Sequence, residues 1–483
     1  GGLTFDVQPV GYSGTIELAT SVSFDTASGA VSLGNSSLEA TVAGIAEAPT
    51  RLAFGTQGVE VDTVSKTATV GAVELSVRGI DMRAEVQPFS YADAIQPQAT
   101  IRIDAFSPRS VMQQLGVEPP ATADPAALTR VILDAKANMG DDLVRLTDLN
   151  IKLDDTSFSG SMTVPFDSAG RFFAKLDGDA INLDRYMQPA AEGAAASDTD
   201  AAPVVIPADL LRPLNVRGEL TLDSAQMSGL QFEDVVVTVN AKDGKLRINP
   251  ITSKLFGGTY SGDITIITST SVPSLSVNET VQGIDLAKLA KAMFDQDNIT
   301  GSIAGNFRLG GSGHNMAEIQ QTLGGTMSFE LKDGTYEGMD VWYELRRARA
   351  MLKQEQPPEP VLPARTKFST VTASGVVKNG IMRNDDLAAE LPFMKLTGKG
   401  DVNIPEATVN YNLQARVLKK PEAMAGATPE EIEDFTKTVI PLKITGPLAS
   451  PTVRPDVEEL LQQRVEEEVK EKLEEKLKDL FKR

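Results

Sequence analysis

Residues 243–266, DGKLRINPITSKLFGGTYSGDITI, contain the pattern that decides the fold class. Polar and apolar residues alternate in Lys245-Leu246-Arg247-Ile248 and again in Asp263-Ile264-Thr265-Ile266. Because successive side chains of a β-strand point to opposite faces, this alternation predicts strands with one apolar and one polar face. The pairs Asp243-Gly244 and Gly257-Gly258 separate such runs, and they favour hairpins because tight turns need positive φ.

The same alternation and the same turn pairs recur along the chain. Further runs are Thr15-Ile16-Glu17-Leu18, Glu219-Leu220-Thr221-Leu222, Asp401-Val402-Asn403-Ile404 and Val409-Asn410-Tyr411-Asn412-Leu413. Further turn pairs are Asp333-Gly334 and Asn379-Gly380. We therefore predict a mostly β fold with short α-helices, in which an elongated, curved antiparallel β-sheet forms a groove, followed by a charged C-terminal helix.

A short internal repeat accompanies the alternation. Tyr12-Ser13-Gly14, Phe158-Ser159-Gly160 and Tyr260-Ser261-Gly262 each open an alternating run, and Leu396–Val402 is a weaker copy. A glycine inside a strand often marks a bulge or a close backbone approach, which bends the sheet. The repeat suggests a few large β units in one curved sheet, and chance similarity among hairpins is the alternative.

Composition and periodicity divide the chain into six segments. Short helices are expected at 107–115, 284–294, 316–323 and 339–352. The predicted segments are N-terminal β unit(s) with short helices (1–189), an Ala/Asp-rich linker (190–207), a central β-meander unit with helices (208–353), a Pro-rich linker (354–364), a C-terminal β unit (365–454) and a charged C-terminal helix (455–483). In the last segment the apolar residues recur every fourth position, so their stripe winds around a helix. We expect a partly exposed charged helix there, with an anchor for a partner or membrane as the alternative.

The acidic composition restricts the partners. Asp and Glu number 66 against 46 Lys and Arg, which gives a formal net charge of −20. This charge argues against nucleic acid and against adhesion to anionic headgroups, so contact with lipid would have to be apolar. The longest apolar runs are shorter than the roughly 18–20 residues of a membrane-spanning helix. Because the chain opens at Gly1 directly in a strand-like pattern, we expect it to be truncated, without its N-terminal anchor.

The sequence offers no catalytic constellation, so we expect no enzyme, no metal and no cofactor. There is no cysteine, and His314 is the single histidine. Carboxylates occur in the pairs Asp141-Asp142, Asp154-Asp155 and Asp385-Asp386. Adjacent residues of a strand face opposite sides, so such a pair would not form a convergent acid/base site, and we expect surface turns at these positions. Trp342 is the single tryptophan. Together with Tyr343 and Met351 it could form an amphipathic patch, and the alternative is a short helix packed across the sheet.

The apolar face is the remaining candidate site. Its residues are expected in two groups, Val216, Leu220, Leu222, Leu246, Ile248, Tyr260, Ile264 and Ile266 first, and Val402, Ile404, Val409, Tyr411 and Leu413 further along. Either helices or the sheet itself close this face into a dry core, or it forms a trough for acyl chains. Alternation alone favours the dry core. An uncovered strip would exceed the apolar patches of soluble monomers and would need a ligand.

Several stretches resemble the AsmA family, the AsmA-like and TamB-related periplasmic envelope proteins of Gram-negative bacteria. The most specific are 106–131, FSPRSVMQQLGVEPPATADPAALTRV, and 379–404, NGIMRNDDLAAELPFMKLTGKGDVNI. Residues 180–187 and 214–266 and the charged tail after Arg454-Pro455 are also similar to this family. The matched stretches run from about residue 100 to the C-terminus, and the family carries no catalytic motif.

The resemblance implies a protein anchored to the inner membrane that projects into the periplasm. Members of this family are thought to form long apolar β grooves and are linked to phospholipid movement or outer-membrane assembly. We therefore expect a scaffold whose groove binds or conducts phospholipid, or another acyl-chain lipid, between the inner and outer membranes and supports outer-membrane homeostasis. The alternative is an assembly factor for outer-membrane proteins that binds no lipid. Expected partners are lipid, the inner membrane through an N-terminal helix, and outer-membrane assembly components, but not nucleic acid.

Overall fold

The computed structural model describes residues 1–7, 12–26, 29–43, 49–167, 169–189, 205–356, 358–360, 362–418, 428–437, 439–448 and 450–456, and positions 458, 459, 462, 469, 472 and 473. The chain groups into two compact units. Unit 1 comprises 1–193 and 209–253, and unit 2 comprises 194–208 and 254–483. Most of the predicted 190–207 linker and of the predicted 455–483 helix lies outside the described residues. The predicted domain boundaries stay a prediction.

Strands dominate both units, which confirms the predicted mostly β class. The strands are β1 (Gly2–Val7), β2 (Tyr12–Ala19), β3 (Val22–Asp25), β4 (Ala30–Leu33), β5 (Ser36–Ala43), β6 (Thr50–Thr56), β7 (Val59–Asp62), β8 (Thr67–Val70), β9 (Val73–Val77), β10 (Ile80–Val86), β11 (Phe89–Ser90), β12 (Gln98–Phe106), β13 (Val131–Met139), β14 (Leu143–Leu153), β15 (Thr156–Pro165), β16 (Phe172–Asn182), β17 (Val216–Met227), β18 (Leu230–Lys242), β19 (Lys245–Leu255), β20 (Gly258–Ile267), β21 (Ser274–Asp285), β22 (Ser302–Ser312), β23 (Gly324–Glu337), β24 (Arg365–Lys378), β25 (Ile381–Glu390), β26 (Met394–Asn403), β27 (Thr408–Val417), β28 (Ile440–Pro447) and β29 (Thr452–Pro455).

Short helices interrupt the strands. They are α1 (Pro108–Gln114), a single 3₁₀ turn (Leu183–Tyr186), α2 (Ala208–Leu211), α3 (Leu286–Phe294), α4 (Met316–Thr322), α5 (Val341–Lys353) and α6 (Pro429–Lys437). The predicted helices at 107–115, 284–294, 316–323 and 339–352 correspond to α1, α3, α4 and α5. Ser107 caps α1, because its side chain accepts a hydrogen bond from the Ser110 N–H.

Unit 1 contains one large and one small sheet. In the large sheet the hydrogen-bonded order is β1, β2, β5, β6, β9, β10, β12, β13, β14, β15, β16, β17 and β18. The small five-stranded sheet has the order β11, β8, β7, β4 and β3. The strands of the small sheet lie in the connections between strands that are neighbours in the large sheet. The two sheets therefore alternate along the sequence.

One strand pair departs from the predicted antiparallel meander. β16 and β17 run parallel, from Phe172 opposite Val216 to Asn182 opposite Gln226. A parallel neighbour requires a crossover connection longer than a hairpin turn. Residues 183–215 provide that connection, so the predicted 190–207 linker lies in a crossover between paired strands.

Unit 2 is an antiparallel meander in which each strand from β20 to β29 pairs with the next in sequence. The helices α3 to α6 are inserted in the connections between these strands. Its largest buried cluster lies between α5, α6 and the strands β24 to β28. Leu345 of α5, Phe435 of α6 and Leu442 of β28 are at most 1% exposed in this cluster.

The turn predictions hold where the glycine occupies a hairpin position. Asp243-Gly244 joins β18 to β19 and Asn379-Gly380 joins β24 to β25, and all four residues have positive φ. Between β19 and β20 the positive φ values belong to Phe256 and Gly257, one residue earlier than the predicted pair.

The prediction of a hairpin at Asp333-Gly334 is wrong, because this pair lies inside β23. The glycine is needed for packing. A Cβ atom at Gly334 would overlap the Phe368 ring and the Thr300 carbonyl oxygen. Close approach is the second common reason for a glycine within a strand, and the sequence pair alone does not distinguish it from a turn.

Candidate functional site

A continuous row of apolar residues crosses the large sheet of unit 1. The directly opposed residues, from β2 to β18, are Leu18, Leu38, Phe54, Leu75, Met82, Ile103, Leu133, Ile151, Phe158, Gly178, Leu222 and Val235. Directly opposed residues of paired strands share a face of the sheet. At about 4.8 Å per strand, the row extends for roughly 50 Å along the sheet.

The opposite face of the same strands carries the charges. Arg83 pairs with Glu74 at 2.5 Å and Lys136 with Asp148 at 2.7 Å, and all four side chains are more than half exposed. Because these side chains are exposed to water, they identify a solvated face, and exposed pairs of this kind contribute little to stability. The sheet of unit 1 therefore has one hydrated and one apolar side.

Most of the apolar row is only partly buried. Leu222 and Val235 are each 7% exposed, whereas Leu18 is 48% exposed and Phe54 is 37% exposed. Leu222, Ala225 and Val235 form a small buried cluster at the β17–β18 end. The rest of the row presents an accessible apolar strip, of the kind that marks interaction sites.

The predicted site residues fall into three places. In unit 1, Val216 and Leu220 are partly buried on the same face of β17 as the buried Leu222, and Leu246 and Ile248 are partly buried on β19. In unit 2, Tyr260, Ile264 and Ile266 share one face of β20 and are partly buried. The third group is Val402, Ile404, Val409, Tyr411 and Leu413, which lie in or against the buried cluster of unit 2.

Helices α5 and α6 cover the sheet at this third group. Trp342 of α5 is 5% exposed, and its ring lies 4.8 Å from Phe435 and 5.7 Å from Phe393, measured between centroids. Of the two predictions for Trp342, the structure matches the helix packed across the sheet. Burial, followed by the charges of Asp401 and Asp386, raises the pKa of Tyr411 to about 12.

Ion pairs join these two helices at their rim. The Arg346 Nε atom lies 2.8 Å from a Glu431 carboxylate oxygen, and Arg349 Nε lies 2.9 Å from Asp434. Lys353 Nζ lies 2.6 Å from the same Asp434 carboxylate. Packing and ion pairs together hold α5 against α6. Because these two helices cover the sheet here, Tyr411 and Leu413 are core residues.

The buried carboxylate of unit 1 has a structural role. Asp154, of the predicted surface pair Asp154-Asp155, is only 8% exposed, which corrects the surface-turn prediction for this residue. Its carboxylate accepts hydrogen bonds from the Leu128 and Arg130 N–H groups at 2.8 and 3.0 Å. The Tyr186 hydroxyl donates a further bond at 2.9 Å. Asp154 thus fixes the connection before β13 and the 3₁₀ turn after β16.

The remaining candidates for chemistry are isolated. In the described part of the chain, no group of three or more His, Asp or Glu residues could hold a metal ion. His314 lies directly before the N-cap of α4, where its N–H donates a 2.8 Å hydrogen bond to Glu318. His314 therefore lies at the start of a helix.

Of the residues in this apolar row, sequence reasoning placed only Leu222 in the candidate site. The local signal was present, because β5 and β10 alternate between apolar and polar residues. What the sequence did not show is the register that aligns these residues across neighbouring strands.

Comparison with known proteins supplies the family. The AsmA family model matches residues 92–387, more than half of the chain. The chain belongs to the AsmA family. This confirms the resemblance seen in the sequence, and AsmA family membership indicates a function associated with the cell envelope and a periplasmic setting. Protein AsmA of Escherichia coli (strain K12) is 24% identical over 231 residues, which are 47% of this chain and 36% of that protein.

The chain thus matches about a third of the length of this AsmA relative. Within the described residues, no helix has both the length and the apolar composition that crossing a bilayer requires.

Proposed function

We propose that this AsmA family member is a non-enzymatic periplasmic scaffold that binds acyl-chain lipid on its apolar sheet face and conducts phospholipid between the inner and outer membranes. One observation carries the proposal, namely the unbroken row from Leu18 to Val235, which is at least partly accessible except at Leu222 and Val235. Acyl chains are the partner that such a strip fits, because the contact is apolar and extends farther than one fatty-acid chain. The net charge of −20 supports chain contact over binding to anionic headgroups.

Unit 1 is the first place where we expect lipid. The unbroken row belongs to unit 1, whereas Tyr411 and Leu413 are buried beneath helices. For the predicted sites on β17, Val216 and Leu220 are the lipid-contacting candidates, and Leu222 supports them from the buried cluster. In the full-length protein, anchoring to the inner membrane is part of the same proposal.

A pair of adjacent substitutions tests the proposal. Phe54→Asp places a charge in the apolar row, and Ala53→Asp places the same charge one residue away on the polar face. Asp is too short to reach water from within a bound lipid layer. We expect Phe54→Asp to reduce phospholipid that copurifies without detergent at least severalfold, measured by mass spectrometry of organic extracts.

In the control, the introduced Asp at position 53 lies opposite Glu39, and like charges directly opposite each other are destabilising. Any loss of stability through charge repulsion is therefore expected in Ala53→Asp. Equal lipid content in wild type and both variants, or no lipid in a folded wild-type sample, would contradict lipid binding by this face. Circular dichroism melting confirms that each variant is folded.

The edge strand β3 favours a second function, the assembly of outer-membrane proteins. β3 lies at the edge of the small sheet, where Val22 is 67% exposed and Phe24 is 61% exposed. An extended peptide can add to such an edge through backbone hydrogen bonds. The Phe24 N–H points away from β4, because hydrogen-bonded pairs alternate along an antiparallel ladder. Binding of unfolded β-barrel polypeptide by lipid-free protein, abolished by Phe24→Pro, would favour this function over lipid conduction.

A further inference from the structure

One carboxyl group interrupts the apolar face of unit 2. Directly opposed residues on this face of β20 to β23 are Gly262, Glu279, Phe307 and Met327. Among the described residues of this row and of the two rows directly beside it on this face, Glu279 is the only Asp, Glu, Lys or Arg. Its neighbours along β21 are Val277 and Val281, two residues away on either side, so its surroundings are apolar.

Two aromatic rings shape the space around Glu279. A Cβ atom at Gly262 would lie 2.6 Å from the Tyr260 hydroxyl oxygen, so the ring folds over the glycine of its own strand. On the other flank a Cβ at Gly305 would lie 3.1 Å from the Phe307 ring. Glycines at both positions let the rings lie flat on the two strands that flank Glu279.

Tyr260 orients the carboxyl group. Its hydroxyl hydrogen-bonds Glu279. Burial raises the pKa of Glu279, and the Tyr260 hydrogen bond opposes that increase only in part. Burial and the Tyr260 hydroxyl account for the shift of this pKa, with no contribution from a Lys or Arg among the described residues. Burying a carboxylate is costly without a partner. The group is only partly buried, so a ligand can approach it.

We propose that Glu279, held by Tyr260, binds the primary ammonium headgroup of an amphiphile whose hydrocarbon chain lies on the apolar face of β20 to β23. The charge is complementary, because an ammonium group supplies the cation that the apolar surroundings lack, and it can donate hydrogen bonds to the carboxylate. Ile264, Val277 and Leu309, which are directly opposed on the next row, provide contact for the chain. The inference rests on the proposed lipid function and specifies the headgroup at one place on the scaffold.

Photo-crosslinking of the complete chain tests the assignment. Two probes share a ten-carbon chain with a terminal diazirine, and they differ only in carrying an ammonium or a hydroxyl group. Labelled peptides are mapped by mass spectrometry. We expect the ammonium probe to label β20 to β23 preferentially, and Glu279→Gln to weaken its apparent affinity there roughly tenfold or more.

The matched control is Glu330→Gln. Glu330 lies on the opposite, polar face of β23, where it pairs with Lys332 at 2.9 Å. It should leave labelling unchanged, whereas Tyr260→Phe should weaken it less than Glu279→Gln does. Equal labelling by both probes, unaffected by Glu279→Gln in a folded sample, overturns the headgroup assignment and leaves the lipid function standing. Failure of both probes to label either apolar face overturns the assignment together with the proposed function.

Discussion

Replacing the buried Asp154 by asparagine is the sharpest test of how unit 1 is held together. Its two carboxylate oxygens divide four close donors, and the Thr129 hydroxyl makes a longer fifth contact at 3.4 Å. One oxygen accepts from the Leu128 N–H at 2.8 Å and the Tyr186 hydroxyl at 2.9 Å, and the other accepts from the Thr129 and Arg130 N–H groups, both at 3.0 Å. A side-chain amide has one acceptor oxygen, so whichever way the introduced asparagine is turned, its NH2 group faces two donors.

The expected loss follows from this count. At least two hydrogen bonds to a charged acceptor disappear, at about 1.5–3 kcal/mol each. We therefore expect Asp154→Asn to lower the free energy of unfolding of unit 1 by roughly 3–6 kcal/mol. In a unit of this size, each kcal/mol lowers Tm by about 2–4 °C.

The pH dependence provides a second readout. Burial raises the pKa of Asp154, but the hydrogen bonds from Leu128, Tyr186, Thr129 and Arg130 outweigh it, so the pKa lies below the ordinary 3.8. A carboxyl group with a lowered folded-state pKa stabilises the fold above its unfolded-state pKa and loses that effect as pH falls through the folded-state value. The difference in Tm between wild type and Asp154→Asn should therefore be constant near neutral pH and shrink below about pH 3.8.

Calorimetry on the wild type, Asp154→Asn and the control Asp141→Asn measures both effects. Asp141 is exposed in the connection between β13 and β14, so its replacement should change Tm little. The reasoning is refuted if Asp154→Asn lowers Tm no more than Asp141→Asn does. A Tm difference that persists unchanged at acid pH would show that the lost bonds do not depend on the charge.

Two further substitutions, each with a control, test unit 2. Phe435→Ala removes a ring that is 1% exposed and packs on Trp342, so urea denaturation should show that the free energy of unfolding falls by about 3–5 kcal/mol. The control Phe294→Ala removes a ring that is 53% exposed and should change this free energy by less than about 1 kcal/mol. A similar loss for both would mean that α6 does not seal the core. Gly334→Ala should destabilise by about 1–3 kcal/mol because its methyl group overlaps Phe368, whereas Gly324→Ala in the same strand meets its nearest neighbour at 3.6 Å and should be tolerated. Equal thermal melting of the two variants would contradict the packing role of Gly334.

Local patterns in the sequence predicted strands and most helices because those patterns are set by neighbouring residues. Alternation at 219–222 and 263–266 needs no knowledge of the partner strand. Register and strand direction depend on residues far apart, so the parallel pairing of β16 with β17 was not foreseen. Helix α6 was missed although a signal existed: Thr428 accepts from the Glu431 N–H at 3.1 Å, and Thr-Pro-Glu-Glu is a typical capped start.

The candidate site was predicted only in part, for a physical reason. Tyr411 and Leu413 show the same alternation as Ile16 and Leu18, yet the first two are covered by helices whereas Leu18 is 48% exposed. Alternation determines which face a side chain occupies, but coverage depends on what the connections between strands contain. The exposed Phe54 and the headgroup candidate Glu279 were overlooked because their importance arises from cross-strand neighbours.

The connections therefore separate a closed core from an accessible face. In unit 2, α5 and α6 contribute Leu345 and Phe435, both at most 1% exposed, so each inserted helix seals part of the sheet. In unit 1, no residue of α1 is buried, and most of the apolar row stays at least partly accessible. An amphipathic helix inserted between two alternating strands thus predicts a sealed face, whereas a plain turn or a polar helix leaves the face open. On this criterion, the strands before residue 190 should contact lipid before those after residue 365 do.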